Sequence, residues 1–134
     1  MANRTYDKFV NRQLTGNAVN FSTDTFKVVA VSSGYTPNTG SAGDTFLSDI
    51  PSAARLSTTG AVTVSVSNRD VVLSGIALPD PGSGVATYLV FYKDTGAEAT
   101  SPLIFLIDTA SNLPITFDGT NDTINFDAQG LFGL

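Results

Sequence analysis

Carboxylates, hydroxyls and three lysines make up most of the reactive side chains in this sequence, which contains no histidine, cysteine or tryptophan. That inventory removes His-based triads, thiol nucleophiles and most transition-metal sites together, since each needs an imidazole or a thiolate. Eleven of the twelve acidic residues are Asp and only Glu98 is Glu. Paired acids can hydrolyse glycosides, yet Asp residues spread through turn-like stretches read as turn caps and solvated loop groups. Asp118-Gly119-Thr120-Asn121-Asp122 brings oxygen ligands close in sequence, but lacks the twelve-residue spacing and closing Glu of an EF-hand loop. Gly82-Ser83-Gly84 is followed by no Lys and opens no helix, so it does not fit a phosphate cradle. The residues therefore predict no enzyme, no catalytic residue, no bound metal and no cofactor.

The elements that would position any site are mainly strands. The chain has 134 residues with 42% hydrophobic content, the size of one domain spanning residues 1–134. Seventeen Thr and thirteen Ser favour strands and turns over helices. A formal charge of −5, with seven scattered basic residues, offers no basic stripe for a phosphate backbone, so nucleic acid is not an expected partner. Apolar runs such as residues 103–107 are too short to span a bilayer, and the first residues lack the apolar stretch of a signal peptide. A cytoplasmic product with no membrane partner is expected.

Tyr6, Phe9, Val10 and Leu14 recur at helical spacing with Gly16 as a stop, which predicts a short N-terminal helix over about 5–15. Residues 25–31 read as a strand, and residues 32–44, polar with Pro37 and three glycines, as a long surface loop. Phe46 to Pro51 reads as a single turn plugging one end of the core. Residues 61–67 alternate, with Val62, Val64 and Val66 on one face, and turn at 68–70 into a strand over 71–78. Pro79-Asp80-Pro81-Gly82-Ser83-Gly84 breaks the chain before a second strand pair, 86–93 and 103–108. A last hairpin is expected from 113–117 and 123–126. The pattern predicts an all-β fold, an antiparallel jelly-roll-like β-sandwich with one short helix.

Residues 88–92 and 103–107 are apolar at successive positions, so both faces of those strands need cover. The helix is one candidate and a neighbouring subunit is the other. The expected contact surface for a partner comprises Tyr6, Phe9 and Val10 on the helix stripe, Tyr35 in the 34–44 loop, and Leu131 and Phe132 near the C-terminus. Core duty competes for Tyr6 and Phe9.

Several strings, read in order, resemble small virion proteins of tailed bacteriophages: Thr23-Asp24-Thr25-Phe26-Lys27-Val28, Phe46-Leu47-Ser48-Asp49-Ile50-Pro51 with Arg55, Val90-Phe91-Tyr92-Lys93-Asp94-Thr95-Gly96, and Ser101-Pro102-Leu103-Ile104 running on to Asp108-Thr109-Ala110 and Leu113-Pro114. The likeness covers most of the chain. It departs at Phe21 and Phe126, since members usually carry a Trp near the first strand or in the last one, and in the 34–44 loop. The resemblance implies a capsid decoration or cement protein on the outer capsid surface, a homotrimer whose partner is the major capsid protein. A tail, neck or adaptor component, or a carbohydrate- or receptor-binding module using Tyr35, are the alternatives.

Overall fold

Strands form here where β-branched and aromatic residues run together, and turns where Asp, Gly and Pro interrupt them. The computed structural model describes residues 4–16, 19–67, 70–73, 76–108, 113–119, 122–124 and 132–133. In chain order these give β1 (Arg4–Thr5), α1 (Asp7–Gly16), β2 (Phe26–Val31), β3 (Arg55–Thr58), β4 (Val64–Ser67), β5 (Asp70–Leu73) and β6 (Ile76–Leu78). They continue with β7 (Val85–Ala86), β8 (Tyr88–Lys93), β9 (Leu103–Ile107), β10 (Ile115–Thr116), β11 (Asp122–Ile124) and β12 (Phe132–Gly133). Single helical turns occupy Leu47–Asp49, Ser52–Ala54 and Glu98–Thr100. The protein is a mainly-β fold with antiparallel pairing and one short helix. Its ladders form one five-stranded sheet and three small ones, and the sheets do not close on one another.

The five-stranded sheet, in the order β1-β9-β8-β2-β3, holds the core. Register fixes its faces, because residues opposite each other in an antiparallel pair point the same way. Val28 lies opposite Phe91 and Phe91 opposite Phe105, so Phe26, Val28, Leu89, Phe91, Phe105 and Ile107 share one face. Val29 lies opposite Val90 and Val90 opposite Leu106, which puts them on the other. All of these residues are buried, so both faces are covered within the chain itself.

Different segments supply the two covers. On the first face Phe91 stacks on Phe26 with ring centroids 5.3 Å apart, and Phe26 stacks on Phe21, also at 5.3 Å. Phe9 of α1 then meets Phe21 edge-on at 6.2 Å, so the helix does join this cover. On the second face Tyr35 meets Tyr88 edge-on at 6.2 Å, which brings the 32–54 segment over the sheet. Leu47, Ile50 and Ala54 from the same segment are buried in the same core. Removing such side chains from water contributes on the order of 1.5–3 kcal/mol each, before conformational entropy is counted. No neighbouring subunit is needed to hide the apolar strands.

One expected pairing is replaced. Among the described residues the expected hairpin of 113–117 with 123–126 is not formed: β10 pairs with β7 and β11 with β6. The Asp80 carboxylate accepts the amides of Asp118 at 3.1 Å and Gly119 at 3.0 Å. With Phe117 N–H donating to the Gly84 carbonyl at 2.9 Å, this ties the 117–119 turn to the 79–84 breaker. Within the strand expected over 71–78, β5 pairs with β4 and β12, and β6 pairs with β11.

Candidate partner-binding surface

The long loop that reads as solvated in the sequence is pinned from inside. The Tyr35 hydroxyl donates to Asp44 Oδ2 at 2.6 Å and lies 2.8 Å from the Tyr6 hydroxyl. Because the Tyr35 proton is directed to Asp44, Tyr6 is the donor in the second bond. Asp44 Oδ2 also accepts the Asn38 amide at 3.0 Å, and the Asp44 amide returns a bond to the Asn38 carbonyl at 2.8 Å. Asp7 N–H donates to the Thr39 carbonyl at 2.9 Å. The loop and the chain entering α1 therefore form one hydrogen-bonded unit. Burial is the main cause that holds the Tyr6 and Tyr35 phenols well above their ordinary titration range, so both stay protonated.

This geometry moves three of the six expected contact residues inward. Tyr6, Phe9 and Tyr35 are 0%, 1% and 2% exposed, so each is core and has no surface to offer a partner. Tyr35 in particular is not the exposed aromatic that a glycan platform requires, and its hydroxyl is already engaged on both sides. Val10 is half-buried against the same core. Leu131 lies outside the described residues, and Phe132 is placed by its backbone, opposite Val71 in the β12–β5 ladder. What the loop does expose is its outer rim, Thr36, Asn38, Ser41 and Ala42. The sequence gives no signal for the latch, since Tyr6, Tyr35 and Asp44 share no periodic spacing.

The charged groups serve the turns and strand ends. Lys27 Nζ sits 2.9 Å from Asp94 Oδ2 and Lys93 Nζ 3.2 Å from Asp24 Oδ2, across the β2–β8 pair, and Arg55 pairs with Glu98. Asp94 is held below its ordinary range by the Lys27 hydrogen bond first and then by the Gly96 amide. Glu98 is likewise lowered by its hydrogen bond and charge contact with Arg55, the opposite of what a general acid needs. Burial, with Asp94 and Glu98 adding to it against Arg55, leaves the Tyr92 phenol pushed up to about 12. Asp49 Oδ2 accepts the amides of Thr45 at 2.8 Å and Phe46 at 3.0 Å, and Asp24 Oδ2 that of Asn20 at 2.7 Å. These carboxylates act as turn caps. Among the described residues no group of three or more His, Cys, Asp or Glu comes together to hold a metal, and no helix is long and apolar enough to cross a membrane.

A second surface feature was not singled out in the sequence. An open cavity of about 560 Å³ is lined by Gln13, Val19, Asn20, Phe21, Ser22 and Val66. The Gln13 side-chain amide shapes it, donating to the Val19 carbonyl and accepting from the Val19 amide, both at 2.9 Å. Leu14, 75% exposed on α1, and Val66, 53% exposed on β4, are large apolar side chains left in water. No protein-family model matches the chain, and no curated protein is similar to it.

Proposed function

We propose that this domain is a structural virion protein, a capsid decoration or cement protein that binds the outer surface of a bacteriophage head and bridges neighbouring capsomers. The observation that carries this reading is the latched loop at 32–44. A rim exposed to solvent yet fixed by Tyr6, Tyr35 and Asp44 presents a preorganised surface, which reduces the ordering cost of docking. Some of the strings that resemble phage virion proteins carry turn caps and ion pairs. Asp49 caps the turn at Leu47–Asp49, and Lys93 and Asp94 carry the ion pairs at one end of β8. A negative chain suits an outer surface, whereas packed genome phosphates would repel it from inside.

In this reading the strands complete a jelly-roll-like sandwich and the working form is a homotrimer set on the major capsid protein. Bridging adds an interface on each side of a capsomer boundary, and repetition over the shell multiplies modest contacts. Electron microscopy of particles made with and without the gene product tests it, together with their heat and chelator resistance. The expected result is density on the outer capsid that vanishes with the gene, and particles that burst at lower temperature. Density confined to neck or tail, or particles equally heat-resistant in its absence, would refute the cement role.

A further inference from the structure

We infer that β4 is a self-pairing edge, through which two copies of this chain join about a two-fold axis. In the β12-β5-β4 sheet, β4 is the outermost strand, and among the described residues no strand pairs with its outer side. An open edge of unpaired amides and carbonyls invites another strand, and edges are ordinarily guarded by Lys, Pro or a covering segment. The Val62 amide before the strand is bonded to the Phe26 carbonyl at 2.9 Å, and the run beyond it, Thr63-Val64-Ser65-Val66-Ser67, has no charged residue, no Pro and no Gly and is rich in β-branched residues.

The occupant is a second copy because the strand is complementary to itself. An antiparallel pair centred on Ser65 sets Val64 of each copy opposite Val66 of the other, and Thr63 opposite Ser67. Valines then meet valines on one face, and hydroxyls meet hydroxyls on the other. A chain of formal charge −5 repels its copies over most approaches, and this strand brings no charge to the contact. Val66 is 53% exposed and lines the cavity that Phe21 and Val19 floor, so the second copy's valines would sit beside an apolar recess already open to water. A four-residue strand stays well below the ~1,600 Å² of a standard interface, so the pair is weak in dilute solution and forms when copies are concentrated. The contact is two-fold and does not depend on the capsid reading, so either can fail without the other.

The absence of native cysteine makes the test direct. At the axis the two Ser65 Cα atoms would lie about 4.5–5.5 Å apart, within the range a disulfide spans. Ser65→Cys is compared with Ser48→Cys, also exposed but remote from β4 in sequence, under mild oxidation over a range of protein concentrations. Circular dichroism and melting temperature confirm that each variant folds. The expected result is a covalent dimer forming about tenfold faster for Ser65→Cys, with the advantage lost when Val66→Lys is added. Equal rates for the two cysteines, or an advantage that survives Val66→Lys, would overturn the inference, as would growth of Ser65→Cys beyond dimers before oxidation.

Discussion

Removing one oxygen atom from Tyr35 should cost more than removing its counterpart from Tyr6, although the two hydroxyls touch. In Tyr35→Phe the 2.6 Å bond to the Asp44 carboxylate is lost, a charge-assisted contact of about 1.5–3 kcal/mol. The Tyr6 hydroxyl, on a side chain 0% exposed, is then left as a buried donor without a partner, at about 1–3 kcal/mol. Asp44 is only half-buried and recovers part of its loss from water, so the net destabilisation is about 2–4 kcal/mol. Tyr6→Phe removes one neutral hydrogen bond while Tyr35 keeps donating to Asp44, at about 0.5–1.5 kcal/mol. The double variant removes the stranded donor, so it should be no less stable than Tyr35→Phe alone. Urea unfolding of the four proteins reads these differences, and amide exchange at Asn38 should speed up in Tyr35→Phe, because its acceptor Asp44 is released. Equal costs for the two single variants, or a double variant destabilised by their full sum, would refute the donor order assigned to the latch.

Two further outcomes follow from the same geometry. The phenols of Tyr6, Tyr35 and Tyr92 are all raised by burial, so above about pH 10 the unfolded chain releases phenol protons that the folded one keeps. Stability contributed by these groups is intact below that pH and falls by ~1.4 kcal/mol per pH unit for each tyrosine as pH rises toward the folded values. Urea midpoints between pH 9 and 12 check this, and a flat profile contradicts it. A Cβ at Gly43 would meet the Asn38 carbonyl oxygen at 2.1 Å, while one at Gly40 finds its nearest neighbour at 3.6 Å. Gly43→Ala should therefore displace the loop and expose the Asp44 amide to exchange, at about 1–3 kcal/mol, with Gly40→Ala near neutral. Equal protection in the two variants would count against a rigid loop.

Local features were legible in the sequence where a single period or a single turn residue decides them. The stripe of Tyr6, Phe9, Val10 and Leu14 gives α1 to within a residue or two, and the 25–31 run gives β2. The Phe46 to Pro51 turn and its plugging role follow from Pro51 and from the burial of Leu47 and Ile50. The β8–β9 and β4–β5 pairings also match, since strands adjacent in the chain are the ones most often paired. Legibility stops where one residue acts across the chain. Asp80 ties the 118–119 turn to the breaker, whose flanking strands β6 and β7 pair with β11 and β10, and nothing in a linear pattern announces a carboxylate that captures amides 38 and 39 residues away. Tyr35 sits among polar residues and reads as exposed, yet its ring covers the sheet and its hydroxyl joins two segments. The alternation of Val62, Val64 and Val66 suggests one buried face, but Val62 and Val64 are partly buried against the core while Val66 is left exposed.

Burial of both sheet faces changes where assembly energy must come from. Had β8 and β9 kept one apolar face open, docking would complete the core and the free chain would be unstable alone. Instead Val29, Val90 and Leu106 on one side and Val28, Phe91 and Phe105 on the other are hidden by α1, the 19–22 turn and the 32–54 segment. The domain therefore reaches its folded state before it meets a partner. On the proposed lattice reading, contact would fall to the latched loop rim, the β4 edge and single apolar residues such as Leu14, which is exposed. Small contacts of this kind hold firmly only when many act together, which is the condition a repeating lattice supplies. An isolated copy should thus bind a single partner subunit weakly and an assembled shell strongly, and that contrast in avidity separates a lattice protein from a one-to-one binder.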